Sequence, residues 1–351
     1  MISNLLNIGD AFSKIGGILL AILVLMLMIT IHELGHYIAG KILKFKINEF
    51  SIGFGKALYT KKKKNGEVFS VRLIPLGGYC AFEGEDTENE SADSFNAQAP
   101  WKRLIVLFCG AFFNFISAII FSVATLAVLG NGYIRVNTIS PENTHIEQLQ
   151  VGDVITHANG EKLSLLNGGL VGITQYIGDE KDIQLTVIRN GEEKNIVVQK
   201  YNVMVNGSEV AQFGITSSYE KLSFGQALLQ SVPFSFEMGW KCITVLGELF
   251  TDKYSLEDIG GPITTIGFIS DASTTNLLNL LLLVPLIAVN LAVFNLLPIP
   301  ALDGSKMVFV LIEWIRKKPI NRDLENKIHM VGLLILFGFV IIVDALHLFV
   351  F

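Results

Sequence analysis

Charge is scarce in this chain. Only 17% of its 351 residues are Asp, Glu, Lys or Arg, while 51% are hydrophobic. The 27 Lys and Arg fall short of the 32 Asp and Glu, leaving a net charge of -5 and no basic surface of the sort nucleic acid requires. No nucleic-acid partner is therefore expected. Cysteine is nearly missing too. Cys80, Cys109 and Cys242 form neither a CxxC pair nor an even-numbered framework, which argues against a disulfide scaffold and a cysteine zinc site. Internal repeats and low-complexity tracts are also lacking.

What the chain has instead is long apolar blocks. Four are long enough to cross about 30 Å of hydrocarbon at about 1.5 Å per residue: Ile18 to Leu43, Leu104 to Leu129, Leu277 to Leu297 and Val331 to Phe351. The first is too long, and too interrupted by polar residues, to read as a cleaved signal peptide, so it is expected to remain in the mature chain. Charge then orients the connections. Ten Lys and Arg lie between the first two blocks, and Arg316, Lys317, Lys318 and Arg322 lie between the last two, which places both segments in the cytoplasm. The stretch 131–276 carries 17 Asp and Glu against nine Lys and Arg and reads as exported, with both termini outside.

The connecting segments have patterns of their own. Ile47 to Leu58 and Glu67 to Phe82 alternate polar and apolar residues about Asn65-Gly66, predicting short strands in a hairpin. Gly77-Gly78, with Val71, Leu73 and Leu76 nearby, implies backbone lying at or dipping into the membrane, tolerated only where protein or a wet cavity satisfies it. Glu83 to Asp93 holds six acids in eleven residues and reads as a solvated loop. In the exported region, Tyr133 to Val136, Val151 to Ile155, Ile183 to Ile188 and Asn195 to Val198 are strand-like, the last two joined at Asn190-Gly191. The run Leu149 to Ile155 followed by Ala158-Asn159-Gly160 resembles a PDZ domain, a fold that takes a chain end or extended segment as an added strand. A purely structural domain is the alternative. Ser223 to Asp252 mixes apolar and polar residues at helical spacing, with Phe234 and Trp240 as anchors, and could lie flat on the membrane despite Pro233. Leu256 to Ile269 reads as a break before the third span.

The chemistry gathers at two points. Within the first apolar block stands His32-Glu33-Leu34-Gly35-His36, an HExxH sequence. On a helix, residues at i and i+4 share one face, so both imidazoles can take corners of a tetrahedral metal site, with Glu33 beside them to handle a proton. HExxH also occurs in soluble helices that bind no metal. Its setting weighs against chance, because ionisable groups in hydrocarbon cost roughly a few kcal/mol each unless paired or metal-bound. A catalytic zinc needs a third protein ligand and an open position for water. Asp303 offers one in Asn295 to Gly304, where Pro298 and Pro300 disrupt the third span and Gly304 relaxes the backbone. A helix cap or surface turn is the alternative for Asp303 alone. His145, His157, His329 and His347 read as surface or interfacial, and Asp344 and His347 as an i, i+3 pair.

HELGH in the first core span, a PDZ-like insert and the NxxPxPxLDG pattern of Asn295 to Gly304 together resemble the site-2 protease family of intramembrane zinc metalloproteases, in its bacterial PDZ-containing branch. The similarity runs over essentially the whole chain. It implies a multi-pass α-helical membrane protein of four transmembrane helices, with a small mostly β PDZ-like domain and a membrane-associated β-hairpin region. The corresponding segments are 1–130 (two spans, HExxH and the cytoplasmic β region), 131–205 (the exported domain), 206–276 (an amphipathic linker) and 277–351 (two spans and the Asp303 motif). The resemblance further implies that His32, His36 and Asp303 bind Zn2+, that Glu33 is the catalytic acid and base, and that Asn295 helps hold substrate or stabilise the oxyanion. Gly53-Phe54-Gly55 with Arg72 to Tyr79, including Gly77 and Gly78, resembles the β region that pairs with substrate. Asn114, in Gly110 to Asn114, is implied to bond active-site backbone, with helix packing as the equal alternative. Only one PDZ-like unit is read from the sequence, so the resemblance does not extend to substrate filtering by two such units.

The expected activity is cleavage of transmembrane segments in single-span membrane proteins, such as anti-sigma factors or signal-peptide remnants, in a bacterial inner membrane. The active site would face the cytoplasm, with the PDZ-like domain outside taking a peptide or an exported segment. Two other classes compete. A catalytically silent relative could use the PDZ-like domain to bind membrane partners, but the four residues of the proposed chemistry are intact. A metal or ion transporter would need polar residues along a path across the membrane, and here they cluster at two points.

Overall fold

The computed structural model describes residues 2–85, 94–140, 148–167, 182–199, 201–205, 208–212, 215–249, 251 and 260–350. His145, and parts of the acidic loop, of the turn-rich segment before Gln150 and of the stretch from Leu256, fall outside these. The chain divides into two compact units, Met1–Phe121 with Phe234–Phe351, and Ser122–Pro233.

The first unit is built around α1 (Ile2–Ile42), α2 (Pro100–Leu129), α5 (Asn279–Leu296) and α7 (Arg322–Phe349). Each contains a stretch long and apolar enough to cross a membrane: Ser13–Ile42, Pro100–Leu129, Asn279–Leu296 and Arg322–Phe349. Their large apolar side chains remain uncovered, with Leu19 58%, Leu334 67% and Ile341 63% exposed. That pattern is unfavourable in water and suits lipid, the environment in which a wholly apolar helix is at home.

Between α1 and α2, β1 (Ile47–Lys62) and β2 (Val68–Phe82) form the expected hairpin about Asn65-Gly66, Gly66 taking a left-handed φ of 89°. The strands are long but doubled back. Glu49, Phe50, Ser51 and Ile52 each pair twice, once with 78–81 and once with 68–71. Four segments result, in the order 57–62, 68–72, 49–52 and 78–82. Gly53 and Gly55, both at left-handed φ, make the bend in β1. The 78–82 segment lies at one edge of this curled sheet. Phe82 packs with Phe45 and Phe95 at centroid distances of 5.4–5.8 Å, within a core shared with Ala39, Val106, Leu107 and Val310. Glu67 anchors the turn end. Its buried carboxylate accepts from Tyr37 at 2.8 Å and Lys63 at 2.6 Å, and also pairs with Lys41 on α1.

The last third supplies two shorter helices. Inside the segment read as a break, Leu256 to Ile269, starts α4 (Pro262–Thr275), which begins with proline at its first position, where a missing N–H leaves nothing unsatisfied. Its N-terminus is held by Asp344 of α7, whose carboxylate accepts from the Ile263 and Thr264 amides at 3.1 Å and the Thr264 hydroxyl at 2.8 Å. Beyond His347, its i, i+3 neighbour, Asp344 thus has partners on another helix. Directly after the proline-rich break, α6 (Asp303–Arg316) starts at Asp303 itself. It is fixed by a buried network in which Glu313 takes Arg103 of α2 and Arg322 of α7, each at 2.6 Å, and Arg322 takes Glu325 at 2.5 Å. Paired this way, the charges escape much of the penalty of burial.

In the second unit, β3 (Ile134–Ile139), β4 (Val154–Ala158), β5 (Glu161–Lys162), β6 (Asp182–Arg189), β7 (Glu192–Gln199) and β10 (Ile215–Tyr219) form one antiparallel sheet. The order is β10-β3-β4-β6-β7, with β5 beside β4. The strand β10 belongs to this sheet although it follows residue 205. Alternation along β6 turns Ile183, Leu185 and Val187 into a core with Ile155, Leu163 and Val198. A separate hairpin pairs β8 (Tyr201–Val205) with β9 (Ser208–Gln212). Asn190 and Gly191 both take left-handed φ, as a two-residue hairpin turn requires. A further helix, α3 (Phe224–Glu248), runs through Pro233 and leaves Phe224, Leu228, Phe236 and Trp240 exposed at helical spacing.

Candidate active site

The i, i+4 spacing on α1 brings His32 and His36 to one face, buried to 8% and 7% exposure. Asp303, at the first turn of α6, meets them there. His32 Nε2 lies 2.9 Å and His36 Nε2 3.2 Å from Asp303 Oδ2, and the two Nε2 atoms are 3.1 Å apart. Bonds of about 2.0–2.1 Å to a tetrahedral zinc would set its ligand atoms roughly 3.3 Å apart. The three donors therefore already have the spacing of one face of such a site. Asp303 Oδ2 is buried against the two imidazole nitrogens, so that three lone-pair donors face one another, an arrangement that a cation relieves. Two imidazoles and a carboxylate are also a donor set suited to zinc. Among the described residues, this is the one group of histidine, cysteine and acidic side chains placed to hold a metal ion.

The surrounding elements orient these donors. His36 Nδ1 lies 2.9 Å from the Val106 carbonyl, which fixes the proton on Nδ1 and leaves Nε2 free to bind. On His32, Asn114 lies 3.5 Å from Nδ1. Turning the amide so that its oxygen accepts from His32 Nδ1–H would do the same for this ring, and would give the buried Asn114 oxygen its missing partner. Close approach of α2 depends on glycine. A Cβ on Gly110 would stand 2.4 Å from His36 Nε2 and 2.7 Å from His32 Cε1, and one on Gly35 would stand 2.2 Å from the Cys109 carbonyl oxygen. Small residues at such a crossing let two membrane helices touch backbone to backbone.

A cavity of about 270 Å³ opens beside the donors, lined by Ile29, His32, Glu33, Asn114, Leu291, Asn295, Ala301 and Asp303. Glu33, Asn114 and Asn295 thus share one space with the metal-ligand candidates. Asn295 donates to the Leu291 carbonyl at 2.9 Å, which steadies its amide at the wall. Glu33 is held from the sheet side, where the Cys80 amide donates to its carboxylate. Gly78 is next to it, since a Cβ there would lie 3.5 Å from Glu33 Cγ. Gly77 does not line the cavity; its vacant Cβ position is filled by the Phe54 ring. Gly35, Gly110 and Ala301 lie inside the motif stretches, but the motifs give them no role of their own; that role comes from contacts across the sequence.

Comparison with known proteins agrees with the geometry. The model of peptidase family M50 matches residues 20–339. A protein of Fusobacterium nucleatum, named a candidate zinc metalloprotease, is 31% identical over 335 residues, covering 93% of this chain and 97% of its own. Relatives given the same description in Helicobacter pylori and Clostridium perfringens are 31% and 29% identical, covering 94% and 93% of this chain and 97% and 96% of their own. With the match running from within the first apolar helix into the fourth, over the HExxH sequence and the Asp303 segment, the chain belongs to peptidase family M50, the site-2 proteases, and is a multi-pass membrane zinc metalloprotease.

Proposed function

We propose that this enzyme is an intramembrane endopeptidase that cuts the transmembrane segments of single-span membrane proteins, with His32, His36 and Asp303 as its zinc ligands and Glu33 as its acid and base. The observation that carries the reading is the convergence of three metal donors beside a single cavity, which His32 and Asp303 line together with Glu33; three of the four residues are borne by apolar α1, and the fourth, Asp303, meets them from the first turn of α6. Zinc bound there supplies Lewis acidity. Glu33 takes the proton of the attacking water and passes it to the leaving amide nitrogen, so that water adds across the peptide bond and two peptides result. Asn295 and Asn114 place amide groups at the cavity wall, where a polarised carbonyl could be held.

A substrate helix hides its amides in i to i-4 hydrogen bonds and must unwind before attack. The 78–82 edge of the curled sheet, next to Glu33, offers backbone groups that can replace the lost bonds by strand addition. The charge distribution supports an inner-membrane setting with both termini outside and the sheet of β1 and β2 on the cytoplasmic side. In this reading, the second unit is a PDZ-like domain on the exported side, where it receives a peptide end or excludes bulky exported segments. Membrane-tethered anti-sigma factors and signal-peptide remnants are substrates of the right form.

The test is cleavage of a tagged single-span protein by the purified enzyme in lipid, comparing wild type with Glu33→Gln at equal zinc content. Loss of cleavage in the variant with zinc retained is expected. Equal turnover by both proteins would remove Glu33 from the mechanism.

A further inference from the structure

We propose that His329 is a positioning residue for Asp303, holding in place the strained turn that delivers this carboxylate to the metal site. The inference rests on the reading of Asp303 as a zinc ligand. Between α5 and α6 the chain leaves one helix and starts the next within Leu297 to Leu302, and Pro298 and Pro300 contribute no backbone N–H to stabilise that turn. Ala301 takes a φ of 83°, the left-handed region that a residue with a Cβ rarely adopts. Such a conformation persists only where its surroundings enforce it.

Those surroundings come from one turn of α7. The Ala301 N–H donates to His329 Nδ1 at 3.1 Å, and the Ser305 hydroxyl lies 3.5 Å from the same nitrogen. Three residues on, Gly332 lets α7 press against Pro300; a Cβ there would stand 2.2 Å from the Pro300 Cβ. The Phe309 ring of α6 packs on the imidazole at a centroid distance of 5.5 Å. His329 therefore touches the turn before Asp303 and the helix after it. Because Nδ1 accepts from an amide, the ring is neutral with its proton on Nε2. Ala301 also lines the cavity, two residues from Asp303, so a shift of this turn moves the carboxylate relative to His32 and His36.

The experiment measures zinc affinity by chelator competition on the purified full-length protein in lipid, alongside its thermal midpoint. His329→Leu removes the acceptor. His329→Asn restores one near the position of Nδ1, whereas His329→Gln places its amide oxygen nearer the position of Nε2. His329→Leu and His329→Gln are expected to weaken zinc binding by about 10–100-fold, the usual range for a group that orients a ligand, with His329→Asn close to wild type. The contrast between Asn and Gln carries the test even if the leucine variant folds poorly. Equal affinities for the Asn and Gln variants would overturn the proposal, as would wild-type affinity in His329→Leu. Asp303→Ala is the reference. If it alone loses zinc, the role of His329 fails while the ligand reading stands; if it retains zinc at wild-type affinity, both fail.

Discussion

At Gly110 one methyl group is the difference between α2 lying against the two imidazoles of α1 and being wedged away from them. An alanine Cβ would come within 2.4 Å of a nitrogen proposed to bind zinc, so α2 or the imidazoles must move. Gly110→Ala is expected to weaken zinc binding by about 10-fold or more and to destabilise the fold by about 1–3 kcal/mol, read by chelator competition and thermal unfolding. Glu67 gives a pH prediction. Burial pushes its carboxyl up, but hydrogen bonds from Lys41, Lys63, Tyr37 and Asn65 outweigh that and bring its pKa down from 4.5 to about 2. The folded-state pKa is depressed, so this stabilisation is fully present above about pH 4.5 and is lost as pH falls toward about 2. Glu67→Gln should cost about 1–3 kcal/mol near neutrality and flatten the pH dependence of unfolding in that window; an unchanged acid limb would remove Glu67 from the account. The sequence displays the candidate ligands and the candidate acid because their logic is local. HExxH needs only helical periodicity, and Asp303 stands out as an acid where an apolar run is broken by prolines. The residues that orient them were hidden, since Asn114 meets His32 across 82 positions and His36 meets Val106 across 70.

Elements were legible where a turn or an apolar length announces them. Asn65-Gly66 marks the hairpin, and the four apolar blocks mark the four helices long and apolar enough to cross a membrane. What alternation cannot show is that β1 and β2 double back, because each half-strand has the same period whichever neighbour it pairs with. Gly260-Gly261-Pro262 looked like a simple break, because the cap that makes it a helix start comes from Asp344, 81 residues away from Ile263. Replacing that cap by Asp344→Ala should lower stability by about 1–2 kcal/mol, as loss of a helix cap does, with proteolysis of the lipid-embedded protein beginning near α4. The sheet edge has its own test. Gly78→Pro removes an amide from the 78–82 segment and should depress cleavage while zinc is retained. Any side chain at this position meets the Ser51 carbonyl oxygen, where a Cβ would stand at 2.8 Å, so Gly78→Ala is the necessary comparison. A selective loss in the proline variant assigns the effect to the edge, and equal loss in both assigns it to crowding.

For the molecule as a whole, the second unit has the form of an insertion whose ends meet. Its sheet begins with β3 and closes with β10, and these two strands are paired, with Ile134 opposite Tyr219. Just outside them the Glu220 amide donates to the Tyr133 carbonyl at 2.8 Å. A domain entered and left at adjacent points can be excised without stretching the chain that carries it. Among the described residues, those lining the active-site cavity all come from the first unit. Replacing residues 134–219 by a short glycine-rich linker should therefore leave zinc affinity within a few-fold of wild type. If the unit acts on the exported side as a filter, cleavage of a single-span substrate with almost no exported segment should also survive, while a substrate bearing a folded exported domain, normally refused, should now be cut. If it acts by capturing a peptide end, excision should instead raise KM for the short substrate, and the bulky one should remain uncut. Both substrates are measured on the same purified protein in lipid, with zinc content as the control for folding. Loss of zinc on excision would show that the inserted unit supports the metal site, contrary to its placement in the chain.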